Sequence, residues 1–494
     1  MKKIAIINII AILGLIFFST GCTEDWEEMN TDPNNPNKVP ATNILAHSLR
    51  YFGDSFYDDW NNMNCFTSFA GHVTKIQYVD EARYEHREST INFMWEDAYN
   101  LQIDQKKMSQ IAMDQDKPKT NAVAETFSVF LWQMMTDTWK AIPYSEGLSG
   151  EDGENTPVYD SQESIYGDLI SRLEAANNTF NEPVNEANPD VLGDGDVMYG
   201  GDFAQWQKFC NSIRLKIAMR ISEVNPGTAQ SLAETILGNP GNNPIMESNE
   251  DNAFLHWPGT APYKEPWAEN LETRDDHGMA RTLVDSLKNL NDPRLPVYAE
   301  TNPDGEYIGL VEGAVKGSFN LDTISRIGFR YRQDPQGFSP FMRYSETMFN
   351  VAEAALNGWN TGAWNAQAAY EAGVRGSLEE NGVVEADITA YMAQPRVAWG
   401  GTEAENREKI YKQKWISLFK QGHEAWAFTR RTDFPALDAA PGSPYPGHNR
   451  QPFRYPYPTQ EKILNETEYS KISSDIVDNY WGQQMWWDTR TGVQ

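Results

Sequence analysis

The stretch Asp202–Ser222, DFAQWQKFCNSIRLKIAMRIS, decides the fold. On a wheel of about 100° per residue starting at Trp206, Cys210, Ile213, Ile217 and Ile221 fall within about 60° of the tryptophan, the stripe of a buried amphipathic helix. Leu215, Ala218 and Met219 lie on the far side, so the helix is expected to be packed on both faces and internal. Asp202, after Gly200-Gly201, reads as its N-cap, and Asn225-Pro226-Gly227 as its stop. Arg220 sits about 40° from Trp206, inside the apolar stripe. A guanidinium there needs a carboxylate or carbonyl from another helix, because burying it unpaired is costly.

Working outward, helical periodicity dominates. It predicts helices over 95–113, 122–142, 161–177, 203–222, 229–237, 279–289, 342–356, 366–378 and 405–419, a mainly α chain. Several are separated only by short turns, and Ala352, Ala354, Ala355, Ala366, Ala368, Ala369 and Ala372 let the 342–356 and 366–378 helices approach closely, as in tetratricopeptide pairs. The strict 34-residue consensus is absent, so the repeats are irregular. Between the helices run long stretches rich in Gly, Pro, Asn and aromatics, at 53–90, 144–160, 181–201, 239–277, 292–340 and 432–494. Loops of that length in a compact domain are usually functional.

The N-terminus is a separate object. Lys2 and Lys3 precede an apolar run from Ile4 to Phe18, and Ser19-Thr20-Gly21-Cys22 closes it with small residues, as in an export signal too short to span a bilayer. Ending in Gly-Cys, it resembles a bacterial lipobox, with Ser19 where leucine is usual; an ordinary secretory signal is the alternative. The lipobox reading makes 1–21 a signal peptide, Cys22 the lipidated first residue, 22–40 a tether, and 41–494 the folded part, with ligand-binding insertions chiefly at 53–90 and 239–340. The tether carries the acidic run Glu24-Asp25-Trp26-Glu27-Glu28 and the turn-rich Asn30–Asn37; its acids lack the loop spacing of an EF-hand.

The formal charge is −29 over 494 residues, and losing Lys2 and Lys3 with the signal makes it more negative still. So acidic a surface repels polyanions, which excludes nucleic acid as the partner. Besides Cys22 there are only Cys65 and Cys210, and with Cys210 on the internal helix two free or buried thiols are expected rather than a disulfide framework.

Catalytic patterns are missing. His423-Glu424 is followed by Ala425-Trp426-Ala427, so a zincin motif fails at its second histidine, and there is no G-x-S-x-G, P-loop or dinucleotide fingerprint. No enzyme activity, metal or cofactor is expected. The chain does carry 16 Trp and 22 Tyr, many beside Gly, Pro or Asn. A flat ring with a polar tip stacks on the C–H face of a pyranose while neighbouring Asp, Asn and Arg satisfy its hydroxyls. The candidates are Tyr78, Arg83 and Tyr84 in the first long loop, and Trp257, Tyr263, Trp267 and Arg274 in the second, each of which also fits a loop-packing role. Trp481, Trp486 and Trp487 read as pins for the C-terminal tail.

The opening helix resembles the W-x-K-F-x-N-S-L-R-L-R-x-A-M-R-I-S signature of SusD/RagB-like outer-membrane lipoproteins. The matching residues are Trp206, Lys208, Phe209, Asn211, Ser212, Arg214, Leu215, Ala218, Met219, Arg220, Ile221 and Ser222. Further similar blocks follow in order at 142–146, 158–166, 291–295, 414–416, 422–426, 430–432 and 453–458. The resemblance implies a SusD-like fold of four tetratricopeptide-like helix pairs plus an irregular, loop-rich subdomain carrying the ligand site. It implies a lipid anchor at Cys22, with Glu24 and Asp25 similar to a surface-export signal, an outer-membrane location facing the cell exterior, and a SusC-type TonB-dependent transporter as partner. The ligand it implies is an oligosaccharide; a peptide is the alternative, and a glycoside hydrolase the reading from another class.

Overall fold

The computed structural model describes residues 39–473 and 480–494, so the signal segment, Cys22 and the tether as far as residue 38 lie outside the described residues. The longer helices are α1 Ala41–Ser55, α2 Glu88–Asp114, α3 Pro118–Trp139, α4 Gln162–Phe180, α5 Phe203–Arg220, α6 Pro226–Leu237, α7 Arg281–Leu290, α8 Tyr344–Leu356, α9 Ala366–Glu380, α10 Glu403–Ser417 and α11 Gly422–Thr432. Consecutive helices pack side by side: α1 on α2, α2 on α3, α3 on α4, α4 on α5, α5 on α6 and α8 on α9. Strands are short two-stranded antiparallel ladders, such as Ala253–His256 with Phe338–Met342 and Val73–Lys75 with His277–Met279. The chain is mainly α, as its periodicity requires.

The opening helix is internal. Trp206, Cys210, Ile213 and Ile217 on one face and Leu215, Ala218 and Met219 on the other are all buried. The Asp202 carboxylate accepts from the Ala204 and Gln205 amides, capping α5. The expected stop signal has a different job. α5 ends at Arg220, and Asn225 caps the start of α6, accepting from the Thr228 amide, with Pro226 in the first turn, where a missing N–H costs nothing.

Arg220 finds its carboxylates: Nη2 lies 2.6 Å from Glu424 Oε2 on α11, and Nε 3.4 Å from Asp137 Oδ2 on α3. Other buried pairs recur through the core, including Arg431 with Glu353 at 2.7 Å, Arg294 with Asp292 at 2.6 Å, Arg343 with Glu380 at 3.0 Å and Lys420 with Glu265 at 2.7 Å. Several of these residues come from the signature-like blocks at 291–295, 422–426 and 430–432, so those blocks serve the scaffold. Once such pairs are buried, removing one partner strands a charge, which fixes how the helices must sit.

The α8–α9 pair closes by a finer device than its alanines alone. Ala352, Ala354 and Ala369 are buried at the contact, but Gly373 and Gly376 of α9 take the rings of Phe349 and Tyr344 where a Cβ would stand 2.9 Å and 2.8 Å from them. Cys65 and Cys210 are both free and buried. Near the C-terminus, Trp481 and Trp487 are buried, and Trp487 Nε1 donates to Asp137 Oδ1 at 2.8 Å, tying the tail to α3.

Helix α1 is missing from the periodicity reading, although Leu45, Leu49 and Phe52 recur at helical spacing and are buried. The stretch 53–90 is correspondingly less loop-like than expected: it contains the last residues of α1 and a wide helical turn over Asp59–Phe66.

Candidate functional site

Helix α1 supplies one wall of the site and a tight backbone contact fixes it. Gly53 lies where a Cβ would be 2.4 Å from Leu255 Cδ2 and 3.2 Å from Trp257 Cζ2, so glycine lets these two side chains lie against the helix backbone. Ser339, on the partner strand, donates from Oγ to Gly53 O at 3.1 Å and accepts from Trp257 Nε1 at 3.0 Å. The three residues therefore lock the helix, the ladder and the start of the 257–263 loop together. That loop turns sharply, with Tyr263 N donating to Thr260 O at 2.8 Å and Gly259 N to Tyr263 O at 3.1 Å.

Between α1 and this loop lies a cavity of about 560 Å³, with His47, Arg50, Tyr51 and Asp54 on one side and Trp257, Pro262 and Tyr263 on the other. Tyr263 is 44% exposed and carries the Arg50 guanidinium over its ring at 5.0 Å. A second cavity of about 410 Å³ opens on the other side of the α1 C-terminus, lined by Asp58, Trp60, Asn61, Arg87, Phe93 and Asp97 among others. Trp60 is half-buried under the Arg87 guanidinium at 4.7 Å, and Phe93 is 63% exposed. Arg87 is tethered in turn by Glu81 at 2.9 Å.

The two cavities adjoin. Asp54 of the first is followed by Ser55 of the second, and the Tyr51 hydroxyl of the first donates to the Asp97 carboxylate of the second. Burial, reinforced by the charges of Glu269 and Asp97, lifts the Asp54 carboxyl above its ordinary value. Burial also pushes the Asp58 carboxyl well up, against the opposing hydrogen bond from the Asn61 amide. The arrangement is a run of aromatic rings, two of them, Tyr263 and Trp60, held by an arginine, with oxygen acceptors between them. It can stack flat rings and accept hydrogen bonds.

The sequence candidates separate into four groups. Trp257 and Tyr263 meet at the first cavity, although Trp257 is only 5% exposed and presents an edge of a largely packed ring. Tyr78 and Arg274 come together elsewhere on the surface, the guanidinium 6.0 Å from the ring centre of a tyrosine that is 54% exposed; neither lines the two cavities. Arg83 is tied to Asp80 at 2.8 Å and to Glu85 at 3.1 Å.

Tyr84 and Trp267 are buried, which corrects the expectation that they stack on a ligand. The Tyr84 hydroxyl donates to Gln451 Oε1 at 2.7 Å and accepts from the Ala440 amide, and its ring packs against Phe69 and Trp481. Trp267 is fully enclosed, with Lys420 Nζ 5.0 Å over its ring and Phe419 edge-on. Neither ring has a free face. Sequence reasoning missed Tyr51, Asp54, Trp60, Phe93 and Asp97. Phe93 left a usable signal: it stands off the stripe of Ile91, Met94, Trp95 and Ala98 on which α2 is buried, and an aromatic on the polar side of a helix needs another explanation than the core.

Fold and cleft define a helical scaffold protein with an aromatic, carboxylate-rich cleft. The chain belongs to the SusD-like family described as starch-binding and associating with the outer membrane, which it matches over residues 33–458. Among solved structures it is similar to a chitin-binding protein, at 26% identity and a TM-score of 0.77, covering 92% of this chain and 100% of that one. A chitin-binding SusD homologue from Flavobacterium johnsoniae (23% identity, TM-score 0.77, 91% and 98% covered) and a SusD-like protein from Bacteroides thetaiotaomicron (24%, 0.77, 92% and 100%) share the fold. No curated protein matches.

Proposed function

We propose that this protein is a cell-surface lipoprotein that captures oligosaccharides in the two adjoining cavities and passes them to a SusC-type TonB-dependent transporter. The observation that carries the ligand assignment is the placing of Tyr263 and Trp60 in neighbouring cavities, each ring steadied by an arginine, with Asp54 and Asp97 between them. Pyranose units stack their C–H faces on such rings and donate their hydroxyls to such carboxylates. A family described as starch-binding, and a similar protein described as chitin-binding, support the same ligand class.

Delivery rests on a different argument. Among the described residues no helix is long and apolar enough to cross a membrane. A polar ligand bound by this chain therefore needs a channel supplied by another protein, and the export-like start with Cys22 supplies the lipid that keeps the binder beside it. Anchoring both in one membrane holds binder and channel at high effective concentration.

A glycan array probed with the full chain tests the ligand: saturable binding to an oligosaccharide class is expected, and binding of peptides with no glycan overturns the assignment. Affinity purification from the native outer membrane in mild detergent tests the partner. One large β-barrel protein should come down in near-equal amount, and recovery of the lipoprotein alone contradicts delivery.

A further inference from the structure

At the junction of the two cavities the acceptors outnumber the cations. Asp54 and Asp97 have no ion-pair partner among the described residues; Asp97 accepts only from the Tyr51 hydroxyl. Asn61, 5% exposed and lining the second cavity, leaves its Oδ1 without a hydrogen-bond partner while its amide nitrogen donates to Ser55 O at 2.8 Å. The cations that line the two cavities make no ion pair with Asp54 or Asp97 among the described residues. Arg50 lies over Tyr263, Arg87 over Trp60 and against Glu81, and His47 stands 3.7 Å from Asp104.

A neutral sugar would satisfy these oxygens with hydroxyl donors alone. An ammonium brings three donors and a positive charge to two carboxylates that have no ion-pair partner among the described residues, and charge-assisted hydrogen bonds are roughly twice as strong as neutral ones. A uronate would instead add a negative charge beside Asp54 and Asp97.

Building on the oligosaccharide reading above, we propose that the cleft selects glycans that carry free amino groups, in the manner of glucosamine oligomers, over their N-acetylated counterparts and over polyuronates. The amino group sits at the junction, among Asp54, Asp97 and Asn61 Oδ1, while the flanking units stack on Tyr263 and Trp60. Burial and the charges of Glu269, Asp97 and Glu265 lift the Asp54 carboxyl, and a cation at the junction opposes the charge repulsion, so binding and ionisation of the site favour each other.

Calorimetric titration of the full chain in detergent, with hexamers of glucosamine, N-acetylglucosamine and galacturonate, tests this. At about pH 6, where the amino-sugar amines are mostly protonated, the glucosamine hexamer should bind about tenfold or more tighter than the N-acetylated one, the size of one charge-assisted contact. The galacturonate hexamer should bind weakest. Raising the pH to about 9.5 deprotonates the amines and should narrow the gap. Asp54→Asn and Asp97→Asn should each move the ratio between the first two ligands toward one; thermal melts of both variants establish that they are folded. Equal or tighter binding of the N-acetylated hexamer overturns the preference for amines and leaves oligosaccharide binding standing. Tightest binding of the uronate also overturns it. Absence of binding to every oligosaccharide, with saturable binding of a peptide, overturns both readings together.

Discussion

Arg220 Nη2 lies 2.6 Å from Glu424 Oε2, joining the last turn of α5 to the first turn of α11 across 204 residues of sequence. Burial alone would push the Glu424 carboxyl up, but Arg220, Lys216 and Lys414 together hold it below its ordinary value. Replacing Arg220 by Met removes the short partner of that carboxylate and leaves it Lys216 at 3.9 Å. Arg220→Met should destabilise the protein by about 3–5 kcal/mol, read by denaturant unfolding, and adding Glu424→Leu should recover part of the loss. A thermally silent single variant contradicts this account of the core.

Glu353 gives the sign of one pH effect. Burial raises its carboxyl, yet Arg431 at 2.7 Å, with Lys414 and Tyr411, brings it below its ordinary value. A carboxyl depressed in the folded state contributes stability that is fully present above its unfolded pKa of about 4.3 and is lost as pH falls through the lower folded value. The stability difference between wild type and Glu353→Gln should therefore be constant above about pH 5 and shrink below about pH 4. Melts of both proteins across that range check it; a difference that grows on acidification has the wrong sign.

The aromatic candidates should split in melting experiments. Trp267→Ala removes a fully buried indole and should cost about 3–5 kcal/mol. Tyr263→Ala removes a ring that is 44% exposed and should change stability by about 0.5 kcal/mol or less while weakening ligand binding. Trp257→Ala should do both, because the ring lines the cavity and its Nε1 anchors on Ser339.

The proposed lipid anchor is checked by Cys22→Ala. The variant should leave the outer-membrane fraction, since stable attachment takes two acyl chains and the variant can carry none at that position. Full retention in the membrane fraction contradicts lipidation at Cys22.

How much of this was legible in the sequence depended on whether a residue's fate is set locally. Trp206, Arg220 and Asp202 stand on one helix whose period alone fixes which way each faces, so burial, the need for an ion-pair partner and capping could all be read. Tyr78 and Tyr84 could not be told apart. Both sit in the first long loop and both adopt positive φ, yet one is exposed and the other enclosed by Phe69, Trp481 and the 440–451 segment hundreds of residues away. Trp257 and Trp267 pose the same problem, each next to a proline and each judged by contacts no local pattern contains. Asp54 falls in the stretch read as a loop, 53–90, and Asp97 in the expected helix 95–113, and only the packing of α1 on α2 brings them to one cleft.

The most direct test of the central claim is a calorimetric comparison of wild type with Tyr263→Ala and Trp60→Ala, using the oligosaccharide selected on the array. Saturable binding by the wild type, weakened about tenfold or more in each variant at little change in melting temperature, is the expected result. Variants that bind the same oligosaccharide as tightly as the wild type would place the ligand elsewhere on the molecule and contradict the account.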